Sequence, residues 1–224
     1  MTASTESSAP GSTARTRVRR LPELAAQDRA TLHAVLDDAL VATVAVVDDG
    51  QPYALPVACA RDGERLLLHG STGSRLFRLL AAGVPACVTV TLVDGLVLAR
   101  SAFESSMNYR SVMVLGSSAV VDEADKQAAM RRLTEHLMPG RWSQLRPPTR
   151  KELAATTVVA MPLAECSVKV SSGDPQDPDE DLDAPVWAGV VPVEHSWGEP
   201  LASADLRFDA EPPAYVRGWR HGRT

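Results

Sequence analysis

Hydrophobic residues recur with two different periods along this chain, and the switches between them mark out its elements. Between Asp28 and Leu40, the residues Leu32, Val35, Leu36, Ala39 and Leu40 fall three and four apart. That spacing predicts one face of a helix, with Asp28 as its N-cap. From Val41 to Gly70 the period drops to two: three β-branched or leucine-rich runs are punctuated by Asp48-Asp49-Gly50 and by Arg61-Asp62-Gly63. Asp-Gly between apolar runs is a hairpin signal, so this stretch reads as an antiparallel meander. Pro52 and Pro56 place its middle strand at a turn or an edge, since proline cannot donate to a ladder. Ser74 to Gly83 returns to helical spacing through Leu76, Leu79 and Leu80 and stops at Gly83 before Pro85. Alternating runs follow on either side of Asp94-Gly95, where a turn is expected, and again from Ser111 to Val121. Lys126 to Met138 reads as a helix with Met130, Leu133 and Leu137 on one side. The segments 157–163 and 166–172 alternate as strands.

Six or seven strands joined mostly by hairpins, with two or three inserted helices, define a mainly β fold with helical additions, an antiparallel sheet that tends to close on itself. Residues 1–20 are expected to form a disordered basic arm, 21–170 the folded body and 171–184 an acidic linker or loop. Residues 185–224 are expected to dock back on the body and end in a flexible tail. The stretch 171–183 concentrates six acids with two prolines and cannot pack by itself.

Composition narrows the function. The 224 residues carry 28 acids against 23 bases, a formal charge of −5. That argues against a general nucleic-acid binder even though Arg15, Arg17, Arg19 and Arg20 cluster near the N-terminus. The longest apolar stretch, Ala39 to Val47, is less than half of what a membrane-spanning helix needs. Cys59, Cys87 and Cys166 are far apart and show no metal-ligand spacing, which fits a reduced, cytoplasmic compartment. The scattered histidines form no HxH or HExxH pattern, so no metal site is expected.

Two polar segments interrupt the apolar pattern. Leu68-His69-Gly70-Ser71-Thr72-Gly73-Ser74-Arg75 joins a strand end to the first turn of a helix through small residues and hydroxyls. Backbone N–H groups and an arginine there suit a phosphate. The alternative is that Ser71 or Thr72 merely caps the helix while Arg75 is solvated. The second segment, Arg100 to Ser111, carries Asn108, Tyr109, Arg110 and Ser111 at strand period, with Tyr109 and Ser111 on one face and Asn108 and Arg110 on the other. One face must look into the body, so this strand either crosses a polar pocket or spends its hydrogen bonds internally. His69 is a weak candidate for a catalytic base and more often such a histidine is structural. Trp187 is either plain core or a cover for a planar ligand.

In this order, the segments 41–80 and 84–121 resemble the pyridoxamine 5′-phosphate oxidase-like family of FMN-binding split barrels, near its nitroimidazole-resistance and flavin-nucleotide-binding branch. The resemblance covers about Asp28 to Val170. It implies an antiparallel split β-barrel that dimerises and binds FMN at the subunit interface, with a small-molecule substrate or electron acceptor. Carried over by position, Ser71, Ser74 and Arg75 match the phosphate side, with Gly70 beside them as a cofactor-binding position, and His69 matches a histidine that some relatives place close to the flavin. Leu55, Pro56 and Val57 match the strand facing the flavin ring. Tyr109, Arg110 and Ser111 match the strand closing the pocket, with Asn108 and Trp187 as looser matches. The full basic phosphate set and the C-terminal substrate signature of the vitamin B6 enzymes are missing, so B6 oxidation is not implied. The resemblance leaves two readings, an FMN-dependent oxidoreductase or a non-catalytic carrier of flavin, haem or deazaflavin.

Overall fold

The computed structural model describes residues 8–208 and 210–219. Helix α1 (Arg29–Asp38) starts where the pattern predicts: Asp28 caps it, its Oδ1 accepting from the Thr31 N–H at 2.7 Å. Strands β2 (Val41–Asp48) and β3 (Gln51–Asp62) form a tight hairpin in which Asp49 and Gly50 both take positive φ, as a type I′ turn requires. Strand β4 (Arg65–Ser71) follows, then α2 (Arg75–Ala81), β5 (Ala86–Leu98) and β6 (Ser106–Gly116). Helix α3 (Glu123–Leu137), α4 (Arg150–Ala155), β8 (Thr156–Pro162) and β9 (Cys166–Ser171) complete the body. Two-residue strands β1 (Ala25–Ala26) and β7 (Ala119–Val120) lie at the sheet's ends. β10 (Gly189–Pro192) and α5 (Ala214–Gly218) belong to the C-terminal segment.

The strands form one antiparallel sheet in the order β1-β9-β6-β5-β2-β3-β4-β8-β7. The sheet curls without closing, as a split barrel does. β3 is long enough to serve both halves, pairing with β2 from Gln51 to Ala58 and with β4 from Cys59 to Asp62. Pro52 and Pro56 therefore lie on an edge that has no second strand partner among the described residues, which is where their missing N–H groups cost nothing.

Alternation assigns the two faces. Leu66, Leu68, Val44, Val88, Val90, Val112 and Val114 point inward onto Leu32 and Leu36 of α1 and onto Leu76, Phe77 and Leu80 of α2. On the outer face α3 covers only one end, packing Ala129 and Leu133 on Ala60, Leu67 and Val158. Leu66, Leu67 and Leu68 are all fully buried for that reason, since β4 is sandwiched between two clusters. The rest of the outer face is bare of any other element among the described residues. Along it Val41, Val47, Leu96, Met107 and Val191 are all more than two-fifths exposed.

Two expectations need correction. Asp94-Gly95 is not a turn: β5 runs through it with a bulge between Val93 and Gly95, and the chain reverses at 99–105 instead. Gly95 is buried because β10 lies against it. A Cβ there would come within 3.1 Å of Val190 Cγ1 and Val191 O. Residues 8–20 are not a free arm. The Gly11 N–H donates to Cys166 O at 2.7 Å, Thr13 Oγ1 and the Arg15 guanidinium both donate to Glu165, and Thr16 is buried. Short hydroxyl side chains let this segment lie close enough to hydrogen-bond the β8–β9 turn. Arg17, Arg19 and Arg20 remain exposed. The acidic stretch is exposed but pinned, because the Asp177 carboxylate is buried and accepts from the Arg100 N–H at 2.7 Å and from its Nη1 at 2.9 Å. The arm's first seven residues and the end of the tail, His221 included, lie outside the described residues.

Candidate functional site

A gap in the sheet makes the site. One edge of β5 is shared by two strands: β2 pairs with Ala86–Thr89 and β10 with Gly95–Leu98. Between them Val90 to Val93 has no strand partner on that edge among the described residues, and a cavity of about 580 Å³ opens there. Leu40, Val41, Leu92, Val93 and Trp197 form apolar walls, while Asp37, Asp38, Asp94, Arg110 and His195 supply polar ones. The volume lies within the range of small-molecule and cofactor pockets, ~300–1,000 Å³.

Arg110 reaches this cavity from β6, paired with Leu92 across the ladder. Its Nε and Nη2 donate to the two oxygens of Asp94, each at 2.9 Å, a fork-to-fork pair, and its Nη1 donates to Asp38. Those hydrogen bonds, Asp94's first and then Asp38's, raise the guanidinium pKa further above its usual value. Tyr109 and Ser111 point to the opposite face, as their strand period requires, and Asn108 Nδ2 donates to Gly173 O at 3.0 Å, tying down the acidic stretch. The cluster thus does both things left open by its sequence. Arg110 lines a pocket, and its charge is already spent on internal partners.

The segment assigned to phosphate is arranged differently. Thr72 N donates to Ala155 O at 3.0 Å, Gly73 N to Ser71 Oγ at 3.2 Å and Ser74 N to Ser71 O at 3.0 Å. Ser74 stands at the N-cap of α2 without a side-chain cap bond. Arg75 is ion-paired with Asp48, and its guanidinium lies 5.2 Å from the centre of the Tyr53 ring. The hydroxyls, amides and cation are close together as expected, but much of their hydrogen-bonding capacity is used within the chain. None of Ser71, Ser74 and Arg75 lines the 580 Å³ cavity.

His69 and Gly70 separate by strand alternation. Gly70 faces inward beneath the Phe77 ring, where a Cβ would sit 2.3 Å from Cε2. His69 faces outward beside Val158, at the boundary between the part of the sheet under α3 and the bare part. Burial lowers its pKa, and its Nδ1 is buried with no hydrogen-bond partner among the described residues. Such an atom is what a ligand or a neighbouring subunit would satisfy. Leu55, Pro56 and Val57 lie on the free-edged part of β3. Leu55 and Val57 share the face of Val44 and Ala42, and Pro56 the opposite one, so the three side chains do not meet one ligand face together. The tryptophan that walls the cavity is Trp197. Trp187 instead covers Gly189 at the start of β10, where a Cβ would lie 2.9 Å from its ring. Sequence reasoning missed Asp37, Asp38, Asp94 and Trp197 as lining residues. No periodicity marks the segment after β10, and the two acids show themselves only once Arg110 is placed between them.

An unclosed antiparallel sheet packed on α1 and α2, with helical additions and a cavity in the split, is a split β-barrel. The profile of the pyridoxamine 5′-phosphate oxidase family matches residues 28–170, and the chain belongs to that family. Among solved structures it is similar to the FAD and heme binding protein from Mycobacterium smegmatis. The two are 45% identical with a TM-score of 0.84, over 87% of this chain and 96% of that one. It is also similar to the flavocytochrome Anf3 from Azotobacter vinelandii, at 39% identity and TM-score 0.87, over 94% of this chain and 97% of that one. A protein from Bacteroides thetaiotaomicron, described as a candidate 5-nitroimidazole antibiotic resistance protein, shares the fold. It is 20% identical with a TM-score of 0.54, over 65% of this chain and 86% of that one. No curated protein matches.

Proposed function

We propose that this chain is a flavin-binding oxidoreductase that acts on a small molecule as a homodimer. The observation that carries the reading is the cavity in the split of the sheet, opening beside an apolar face that no other element covers. A second copy laid against that face would bury Val41, Val47, Leu96, Met107 and Val191, which are otherwise left to water, and would enclose the cavity. No helix among the described residues is long and apolar enough to cross a membrane, and the three cysteines are free, which supports a reducing, cytoplasmic setting.

The residues present fit a flavin in kind. Leu40, Val41, Leu92, Val93 and Trp197 offer apolar contact to a planar ring, and Arg110 and His195 offer polar contacts at its margin. Bound flavin supplies hydride and single-electron transfer; the chain's part is to hold it, shield it from water and leave room for a substrate. FMN is the cofactor the family resemblance implies. FAD is favoured by the name of the 45% identical relative.

A second ligand, haem, is favoured by one observation: the buried, unpartnered Nδ1 of His69 on the outer face. His195 is the other candidate axial ligand. His69 faces outward on β4 and His195 lines the cavity, and either would offer an imidazole nitrogen to a haem iron.

The test is the spectrum of the purified protein, followed by mass analysis of whatever denaturation releases. Bands near ~375 and ~450 nm indicate an oxidised flavin, and a Soret band that disappears in His69→Ala or His195→Ala assigns a haem ligand. Reoxidation of the reduced flavin by oxygen, quinones or nitroaromatics separates an enzyme from a carrier. A colourless protein that gives no response on titration with FMN or FAD refutes the proposal.

A further inference from the structure

The wall of the cavity formed by His195 and Trp197 belongs to a segment with no regular secondary structure, between β10 and α5, in which Leu201 and Phe208 project into solvent. Its near end is fixed where Val193 N donates to Asp94 O at 3.0 Å, continuing the β10 ladder. Its far end is fixed by aromatic rings. Trp197 lies against Trp219 with centroids 6.0 Å apart and planes at 57°, and Trp219 against Tyr215 at 5.9 Å and 58°. Both are the tilted arrangements that aromatic quadrupoles favour.

Tyr215 in turn sits in a notch built for it. Its ring covers Gly140, where a Cβ would come within 3.0 Å of Cγ and where φ is +84°. Its hydroxyl donates to Gln144 Oε1 at 3.0 Å and accepts from Arg141 Nη1 at 3.4 Å. Glu135, on the last turns of α3, shapes the notch by accepting from Gly140 N at 2.7 Å and Trp142 N at 2.9 Å. One residue on, His136 Nε2 donates to Ala39 O at 2.6 Å, next to the cavity residues Asp38 and Leu40. The end of α3 therefore holds both sides of the cavity mouth. It fixes the α1–β2 side through His136 and the His195–Trp197 side through Tyr215, Trp219 and Trp197.

We infer that Tyr215 and Trp219 are positioning residues: their stack on Trp197, seated in the Gly140 notch, latches His195 and Trp197 against the cavity, so the C-terminal segment decides whether the cavity keeps its ligand. The inference rests on reading the cavity as a ligand site. Neither ring touches the cavity itself, so their effect passes entirely through residues 195–197.

The experiment uses the full chain as Tyr215→Ala, Tyr215→Phe, His195→Ala and the Tyr215→Ala/His195→Ala pair. Hydrogen exchange over residues 193–199 is followed without ligand, and FAD and haemin titrations with it. Tyr215→Ala is expected to speed exchange at 193–199 by about tenfold, the loss of one to two aromatic pairs, with exchange in β2, β5 and β6 unchanged. It should weaken binding of the same probe as His195→Ala does, and the paired variant should be no worse than the weaker single one, since both remove one wall. Tyr215→Phe keeps the ring and should restore both readouts. Unchanged exchange at 193–199 in Tyr215→Ala overturns the latch. Faster exchange with wild-type affinity for both probes makes the stack merely structural and also overturns it. A wild-type chain that binds none of FAD, haemin and FMN refutes the ligand-site reading instead, and the latch then stands or falls on exchange alone.

Discussion

Gly70 is the position where a single methyl group tests the packing that presents His69. The Phe77 ring lies flat on the strand at Gly70, with Cε2, Cδ2 and Cζ at 2.3, 2.4 and 3.0 Å from where a Cβ would be. Ordinary carbon contacts begin near ~3.5 Å, so in Gly70→Ala the ring must retreat by about 1 Å. Phe77 is only 4% exposed and shares its cluster with Leu76, Leu80 and Met161, so it has no empty space to retreat into. Overpacking of this kind costs ~1–3 kcal/mol, and the restricted unfolded chain returns ~0.4–1. The net loss of ~1–2 kcal/mol corresponds to a melting temperature lower by ~2–8 °C for a domain of this size. Urea unfolding of Gly70→Ala, Phe77→Leu and the double variant decides the matter. Phe77→Leu alone leaves a partial void costing ~1–2 kcal/mol, and the added methyl fills part of it. The double variant should then be at least ~1 kcal/mol more stable than the sum of the single losses. Gly70→Ala within ~0.5 kcal/mol of wild type, or strict additivity, would refute the close packing of ring on strand.

Glu152 closes the capping box of α4 with Thr149 and is bridged to Arg146. The Arg146 hydrogen bond first, then those from Thr149, pull its pKa down to about 2. A carboxylate depressed in the folded state adds stability above its unfolded pKa and loses it as the pH falls, so the contribution should fade between about pH 4.5 and 2. Glu152→Gln should flatten that part of an acid titration of α4 followed by circular dichroism, and an unchanged profile would count against the box. Burial pushes the Cys59 thiol up to about 12 and also raises Cys87 and Cys166. Cys87 alone is partly exposed, on the outer face. If that face is the dimer contact, no thiol should react quickly with a disulfide reagent at pH 8 before denaturation, and one fast thiol per chain would leave the face open. Asp48→Asn frees Arg75 and should tighten FMN about threefold to tenfold in a fluorescence titration. No change would place the phosphate away from Arg75.

The fold was legible wherever local chemistry and tertiary packing agree. Asp49-Gly50 turns because both residues tolerate positive φ and nothing else claims them. Asp94-Gly95 carries the same local signal and does not turn, because a strand from nearly a hundred residues later lies on Gly95 and needs β5 to continue. The same cause hid the docking of residues 8–16. Their hold on the barrel runs through backbone groups and the Glu165 carboxylate, which leave no periodic trace in a Ser- and Thr-rich sequence. Pro52 and Pro56, by contrast, announced the free edge of β3 directly, since a missing N–H has the same meaning in any context.

Of the residues singled out in the sequence, Arg110 lines the cavity and Arg75 does not. Arg75 and Arg110 stand at the strand–helix junction and on β6, and read alone each looks like a cation waiting for a phosphate. Each instead has a carboxylate from another element: Asp48 from the β2–β3 hairpin, Asp94 from the β5 bulge and Asp38 from the end of α1. An anion arriving at Arg110 finds the Nε–Nη2 edge held by both oxygens of Asp94. It meets only the Nη1 side, where the partner is Asp38, whose side chain is more than half exposed. Exchanging Asp38 returns a well-hydrated carboxylate to water and leaves the two-pronged bond intact, whereas displacing Asp94 would break two hydrogen bonds at once. The geometry therefore leaves a negatively charged group one place to meet Arg110, the Nη1 side that Asp38 occupies.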